Sequence, residues 1–148
     1  GDPTQAQDAA TKAYVDAVKS GLGVKESVKV STAAALPAAT YSNGASGVGA
    51  TLTANANGAL TIDGVSMTAT TRILVKDQTD ASHNGVYTVT NAGGASAQYV
   101  LTRSTDSDTG AELTGGTFVF TEEGTANADN GFVFTHNGSP TIGTTDLT

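Results

Sequence analysis

TRILVKDQTDASHNGVYTVT, residues 71–90, decides the fold. Two short runs rich in β-formers, RILVK (72–76) and GVYTVT (85–90), read as strands, and Asp77 to Asn84 is the polar connection between them. The same grammar continues outward. QYVLTR (98–103), TFVFTEE (117–123) and GFVFTH (131–136) are further strand signals downstream. Upstream, VKESVKVST (24–32) sets Val24, Val28 and Val30 along a half-buried strand. Residues 33–50 read as loop, around Pro37, Asn43-Gly44, Gly47 and Gly49. Leu52, Leu60 and Ile62 flank a turn at Asn57-Gly58, and Ile62-Asp63-Gly64-Val65 is a further tight turn. TIGTTDLT (141–148) resembles an interrupted approach to one more strand. Strands at such spacing predict a mainly β chain, an antiparallel sandwich or barrel.

Asn-Gly occurs five times, beginning at Asn43, Asn57, Asn84, Asn130 and Asn137. Both residues tolerate left-handed backbone geometry, so the pair predicts type I′ hairpin turns. His83-Asn84-Gly85-Val86-Tyr87 and Asp129-Asn130-Gly131-Phe132-Val133 repeat one arrangement, Asn-Gly directly before a strand. In TFVFTEE, Phe118 and Phe120 share one face and Val119 takes the other; Phe132 and Phe134 behave likewise. These are core residues first.

The opening differs. Asp8 is placed as an N-cap, Ala9, Ala10, Ala13 and Ala17 favour helix, and Gly21 suits the residue after its end. Ala10, Tyr14, Ala17, Val18 and Leu22 recur at three and four and form one apolar stripe. A helix of about 13 residues is marginal alone. The stripe therefore packs either on the chain's own sheet or on the same helix of sister chains. Residues 1–23 thus read as a helical connector or oligomerisation segment, and 24–148 as a β-rich module.

Composition narrows the function. Among 148 residues there is no cysteine, which excludes disulfides, thiol catalysis and cysteine zinc sites. The formal net charge of −7 arises entirely beyond Val30, where ten acids face Arg72, Lys76 and Arg103. Such a surface repels phosphate backbones, so no nucleic-acid partner is expected. No apolar run approaches membrane-spanning length, so no membrane insertion is expected.

Catalytic patterns fail one by one. His83 and His136 sit beside Asn-Gly pairs, and no GxSxG elbow surrounds a serine. Glu122 and Glu123 are adjacent, so on a strand they point to opposite faces and do not converge on one sugar. They suit strand-edge protection instead. Asp106-Ser107-Asp108-Thr109-Gly110 begins like a calcium loop, making Asp106 and Asp108 the metal candidates. The third oxygen ligand is missing, and Glu112 comes too soon. No catalytic residue, cofactor or complete metal site is expected. Without tryptophan, a sugar-stacking platform of tyrosines and phenylalanines is the weaker functional use of the aromatics.

Three segments carry a resemblance: DPTQAQDAATKAYVDA (2–17), TRILVKDQTDASHNGVYTVT (71–90) and GTFVFTEEGTANADNGFVFTHNGSPTIGTTDLT (116–148). Together they resemble a module of tailed-bacteriophage tail-fibre and tail-appendage proteins, with 33–58 left as a Gly/Ala-rich variable insertion. The resemblance implies a non-enzymatic virion component of the phage tail, a homotrimer joined to other tail proteins. It tips the apolar stripe toward contacts between chains. It also implies a role in host attachment, with bacterial surface polysaccharide as a possible partner and loops 33–58, 77–84 and 104–116 as places for contact. Similar modules run on past TTDLT into an aromatic-containing strand, so the chain reads as a fragment truncated at its C-terminal end. The alternative is a carbohydrate-binding module of a tailspike or depolymerase whose catalytic part is absent.

Overall fold

The computed structural model describes residues 23–148. The expected N-terminal helix, with Ala10, Tyr14, Ala17, Val18 and Leu22, lies outside the described residues.

The described chain is mainly β, and its only helical element is a 3₁₀ turn at Ala81–His83. The strands are β1 (Gly23–Val24), β2 (Val30–Ser31), β3 (Ala39–Ser42), β4 (Thr51–Ala54), β5 (Thr61–Ile62), β6 (Val65–Ser66), β7 (Arg72–Val75), β8 (Gly85–Gly94), β9 (Ala97–Arg103), β10 (Thr117–Phe120) and β11 (Gly131–Val133). They form a six-stranded sheet in the order β2-β7-β8-β9-β4-β3, a three-stranded sheet in the order β1-β10-β11, and the β5-β6 hairpin. Among the described residues, no sheet closes into a barrel. Most pairings are antiparallel, but β1 joins β10 and β2 joins β7 in parallel, a departure from the all-antiparallel expectation.

Alternation divides the core between two faces of the larger sheet. Ile73, Val75, Tyr87, Val89 and Leu101 point to one side, where Leu52, Leu60 and Met67 join them. Val86 points to the other, with Leu74 beside it. There Val28, Val119 and Phe132 cover it from the smaller sheet and its approaches. The buried hydroxyls of Ser31 and Thr121 pair across this layer.

The stretch 24–32 is not one strand. Its pieces serve both sheets: β1 pairs with β10, Val28 bridges Thr121, and β2 pairs with β7. Val24 consequently stays 51% exposed, whereas Val28 and Val30 are fully buried. The loop reading of 33–50 also needs correction. β3 lies there and pairs with β4, which in turn pairs with β9, so 33–58 is built into the main sheet. Leu52 and Ala54 supply the apolar side that makes this possible.

The turns are the larger surprise. None of the five asparagines before glycine has a positive φ, so none forms a type I′ pair. That geometry falls to Ser46-Gly47, between bridged Ala45 and Val48, and to Asp63-Gly64, between paired Ile62 and Val65. The sequence reading of a tight turn at 62–65 holds. Its Asp63 carboxylate also accepts the backbone N–H groups of Ala126 (3.0 Å) and Asn127 (2.9 Å), docking the hairpin on the loop before β11.

Candidate functional site

The best-organised polar cluster lies where β8, β9 and the 77–84 connection meet. β9 ends at Arg103, whose side chain is directed inward and is only 2% exposed. Among the described residues, no carboxylate meets it. Its Nη1 donates to Asn84 O (2.7 Å), its Nη2 to Ser82 O (3.1 Å), and Nε and Nη2 both to Tyr41 Oη (3.2 and 3.1 Å). The guanidinium carbon lies 5.0 Å from the Tyr87 ring centroid and 5.5 Å from that of Tyr41. Carbonyl dipoles and aromatic faces thus replace the solvation that burial removes. Tyr41 completes its own valence by donating to Asn43 Oδ1 (2.7 Å).

Asn84 is the second hub. Its Nδ2 donates to Lys76 O (3.2 Å) and Leu147 O (3.0 Å), and its Oδ1 accepts from Gln78 N (3.0 Å). One buried carboxamide therefore ties the end of β7, the polar connection and the chain's last residues together. Tyr87 Oη donates to His83 O, four residues back. Burial pushes the Tyr87 phenol above its ordinary range, and the positive charge of Arg103 opposes this only in part. Burial likewise pushes the Tyr99 phenol up to about 12.

Gly85 explains the repeated Asn-Gly signature. A Cβ there would run into Arg103 Nη1, so the glycine makes room for a side chain from the neighbouring strand. Gly131 does the same for the Phe118 ring. The registers match: Arg103 pairs with Tyr87, two residues after Gly85, and Phe118 pairs with Val133, two residues after Gly131. The signature marks a strand start that accepts a large diagonal neighbour, and not a hairpin turn.

The residues singled out for chemistry are held apart. Arg72 grips Asp106 with two hydrogen bonds of 2.8 Å, tying β7 to the 104–113 loop. Burial acts to raise the Asp106 carboxyl, but the bonds and charge of Arg72, with the Ser107 hydroxyl, outweigh it and hold the group low. Asp108 leans on Glu112 instead. Burial and that second carboxyl hold Asp108 above the usual carboxylate range. Asp106 and Asp108 thus face different partners and do not share a centre. Among the described residues, no group of three or more His, Asp or Glu is gathered as metal ligands would be. His83 stacks on Tyr41 (4.2 Å) and lies 3.5 Å from Asp80. His136 stacks on Phe134 (5.5 Å). Glu122 accepts from Ser27, and Glu123 faces Lys29 at 3.7 Å.

A cleft of about 340 Å³ opens between the two sheets. Its walls are apolar, with Leu74, Val86, Leu113, Val119 and Phe132 among them. Lys76 stands at its edge, 3.1 Å from Asp77 Oδ2 and 5.1 Å from the Phe132 ring centroid. Sequence reasoning missed both cleft and polar cluster, because each is assembled from segments far apart in the chain. The inward-facing end of QYVLTR was the one available signal for Arg103.

Compared with family models, curated proteins and solved structures, the chain matches none of them.

Proposed function

We propose that the chain is a structural module of a tailed-bacteriophage tail fibre, a sandwich-like spacer that joins sister chains through residues 8–22 and contributes to host attachment. One observation carries most of the support. The SHNGVY segment, on which the resemblance rests, is spent on internal architecture: Asn84, Gly85 and Tyr87 close around Arg103 and the tail at Leu147. A buried arginine bonded to backbone carbonyls and a tyrosine is unavailable to an anionic substrate. It rigidifies, which is what a load-transmitting spacer requires.

Attachment by such a module would draw on several weak sites held together in one particle, since avidity raises affinity without new contacts. The 77–84 connection and much of 104–113 are tied down by the contacts above. Within 33–58, the turn over 45–48 leaves Val48 at 48% exposure, although Gly47 itself is buried against Asp108 and Ile142. A sugar-stacking module finds less support, because Tyr87 and Tyr99 are buried and Tyr41 is covered by His83 and Arg103.

Replacing residues 45–48 in the parent phage and measuring adsorption to its host tests the attachment role. Reduced adsorption by particles of normal morphology supports it, and unchanged adsorption removes that turn from it. Saturable binding of host polysaccharide by single chains in calorimetry would favour the carbohydrate-binding alternative.

A further inference from the structure

The five Asn-Gly pairs are alike in sequence, but the fold restrains them differently. The Asn43 carboxamide is held by the Tyr41 hydroxyl (2.7 Å) and Ile142 O (3.1 Å), and that of Asn84 by three backbone groups. Asn130 is fixed through its main chain: its N–H donates to Asn127 O (3.1 Å) and its carbonyl accepts from Thr121 N (2.8 Å). Its Nδ2 also reaches Ala126 O (3.4 Å). Asn57 is exposed, but the N–H of Gly58 after it donates to Ala97 O (3.1 Å). Asn137-Gly138 differs from all four. Among the described residues, neither the Asn137 carboxamide nor the Gly138 N–H has a hydrogen-bond partner. Asn137, Gly138 and Ser139 are exposed, on a bend past the end of β11. Apart from chain neighbours, nothing lies within 4 Å of where a Cβ on Gly138 would stand, which leaves room for a ring to close.

We propose that Asn137-Gly138 is a self-modification site, where the folded chain deamidates selectively through a cyclic imide. The Gly138 nitrogen gives its proton to solvent base and attacks Asn137 Cγ. A C–N bond forms, the Cγ–Nδ2 bond breaks, and Nδ2 takes up a proton and leaves as ammonia. Water then opens the imide. Cleavage at Cγ leaves aspartate, and cleavage at the main-chain carbonyl leaves isoaspartate. Nothing is oxidised or reduced. Glycine suits the step because no side chain shields its nitrogen and its backbone turns freely. Hydrogen bonds on the carboxamide or the glycine nitrogen oppose it, since both groups must reorient to meet. Isoaspartate routes the main chain through the side-chain carbon, directly beside the bond from Gly115 N to Gly138 O (3.2 Å). The site is independent of residues 8–22 and of the fibre reading.

The test incubates the full chain in mildly alkaline buffer, folded and in urea. Peptide mapping by mass spectrometry follows each Asn-Gly pair, and electron-transfer fragmentation separates aspartate from isoaspartate. In urea all five pairs should convert at similar rates, because they share the same local sequence. In the folded chain Asn137 should lead, converting about tenfold or more faster than Asn43 and Asn84, whose hydrogen bonds must open first. Asn137→Gln, whose longer side chain closes a ring only slowly, should remove the fastest phase of the mass change of the intact chain. Conversion led by another pair in the folded chain, or equal rates at all of them, would overturn the proposal. So would an Asn137 that stays intact for as long as the unfolded chain takes to convert.

Discussion

Arg103 and Gly85 occupy one space: the guanidinium of Arg103 fills the position that a Cβ on Gly85 would take. Gly85 also has a φ of +144°, which L side chains rarely adopt. The Gly85→Ala variant should therefore lose about 3 kcal/mol from crowding and backbone strain together. Urea unfolding measures it. Combining Gly85→Ala with Arg103→Ala should give less than the sum of the two losses, because the shared clash is gone.

Asn84 holds three backbone groups from three segments. Replacing it with alanine leaves Gln78 N, Lys76 O and Leu147 O without this partner, at a cost of about 2–3 kcal/mol. The tail should loosen first. Limited proteolysis should cut the variant after Ile142 at protease levels that spare the parent, whose Leu147 is buried.

The Asp63 carboxylate serves two adjacent backbone donors on the 124–127 loop. Asp63→Ala should cost about 1–2 kcal/mol. Hydrogen exchange should quicken at Ala126 and Asn127, while the amides of β8 and β9 keep their protection.

Acid should act on two carboxyls with opposite sign. Asp106 is held low by Arg72, so its contribution is present above the ordinary aspartate range and is lost as pH falls through its folded-state value. Because Asp106 is over a third exposed, that contribution is at most about 1 kcal/mol. Asp108 is held high beside Glu112, so at neutral pH its ionised form costs stability, which returns as pH falls through its raised value. Asp108→Asn should therefore raise the unfolding midpoint at pH 7, and Asp106→Asn should lower it. Thermal melts of both variants from neutral to acidic pH separate the two effects.

The strands were legible because their physics is local. RILVK, GVYTVT, QYVLTR, TFVFTEE and GFVFTH declare themselves by β-branched and aromatic content, and the structure places β7, β10 and β11 within them, while β8 runs on past GVYTVT to Gly94 and β9 begins one residue early, at Ala97. The turns were not legible, because Asn-Gly has two uses that look alike in one dimension. Asn43 and Asn84 spend their carboxamides on distant backbone groups, Ile142 O and Leu147 O, and so stay out of the left-handed region. The parallel pairings were hidden for a related reason. Val28 and Val30 alternate like one strand, yet Val28 bridges Thr121, just past the end of β10, while Val30 pairs with Ile73 in the larger sheet. The polar cluster was least visible of all, since Arg103 meets Tyr41 and Ser82 only after β9 has crossed the sheet.

The fibre reading turns on whether Ala10, Tyr14, Ala17, Val18 and Leu22 bury their apolar stripe between sister chains. Multi-angle light scattering of the full chain, beside a Tyr14→Lys, Ala17→Lys double variant, asks this directly. A particle of three chains for the parent and of one chain for the variant, with the same β signature in circular dichroism, is the expected result. A parent that remains a single chain at high concentration would contradict it.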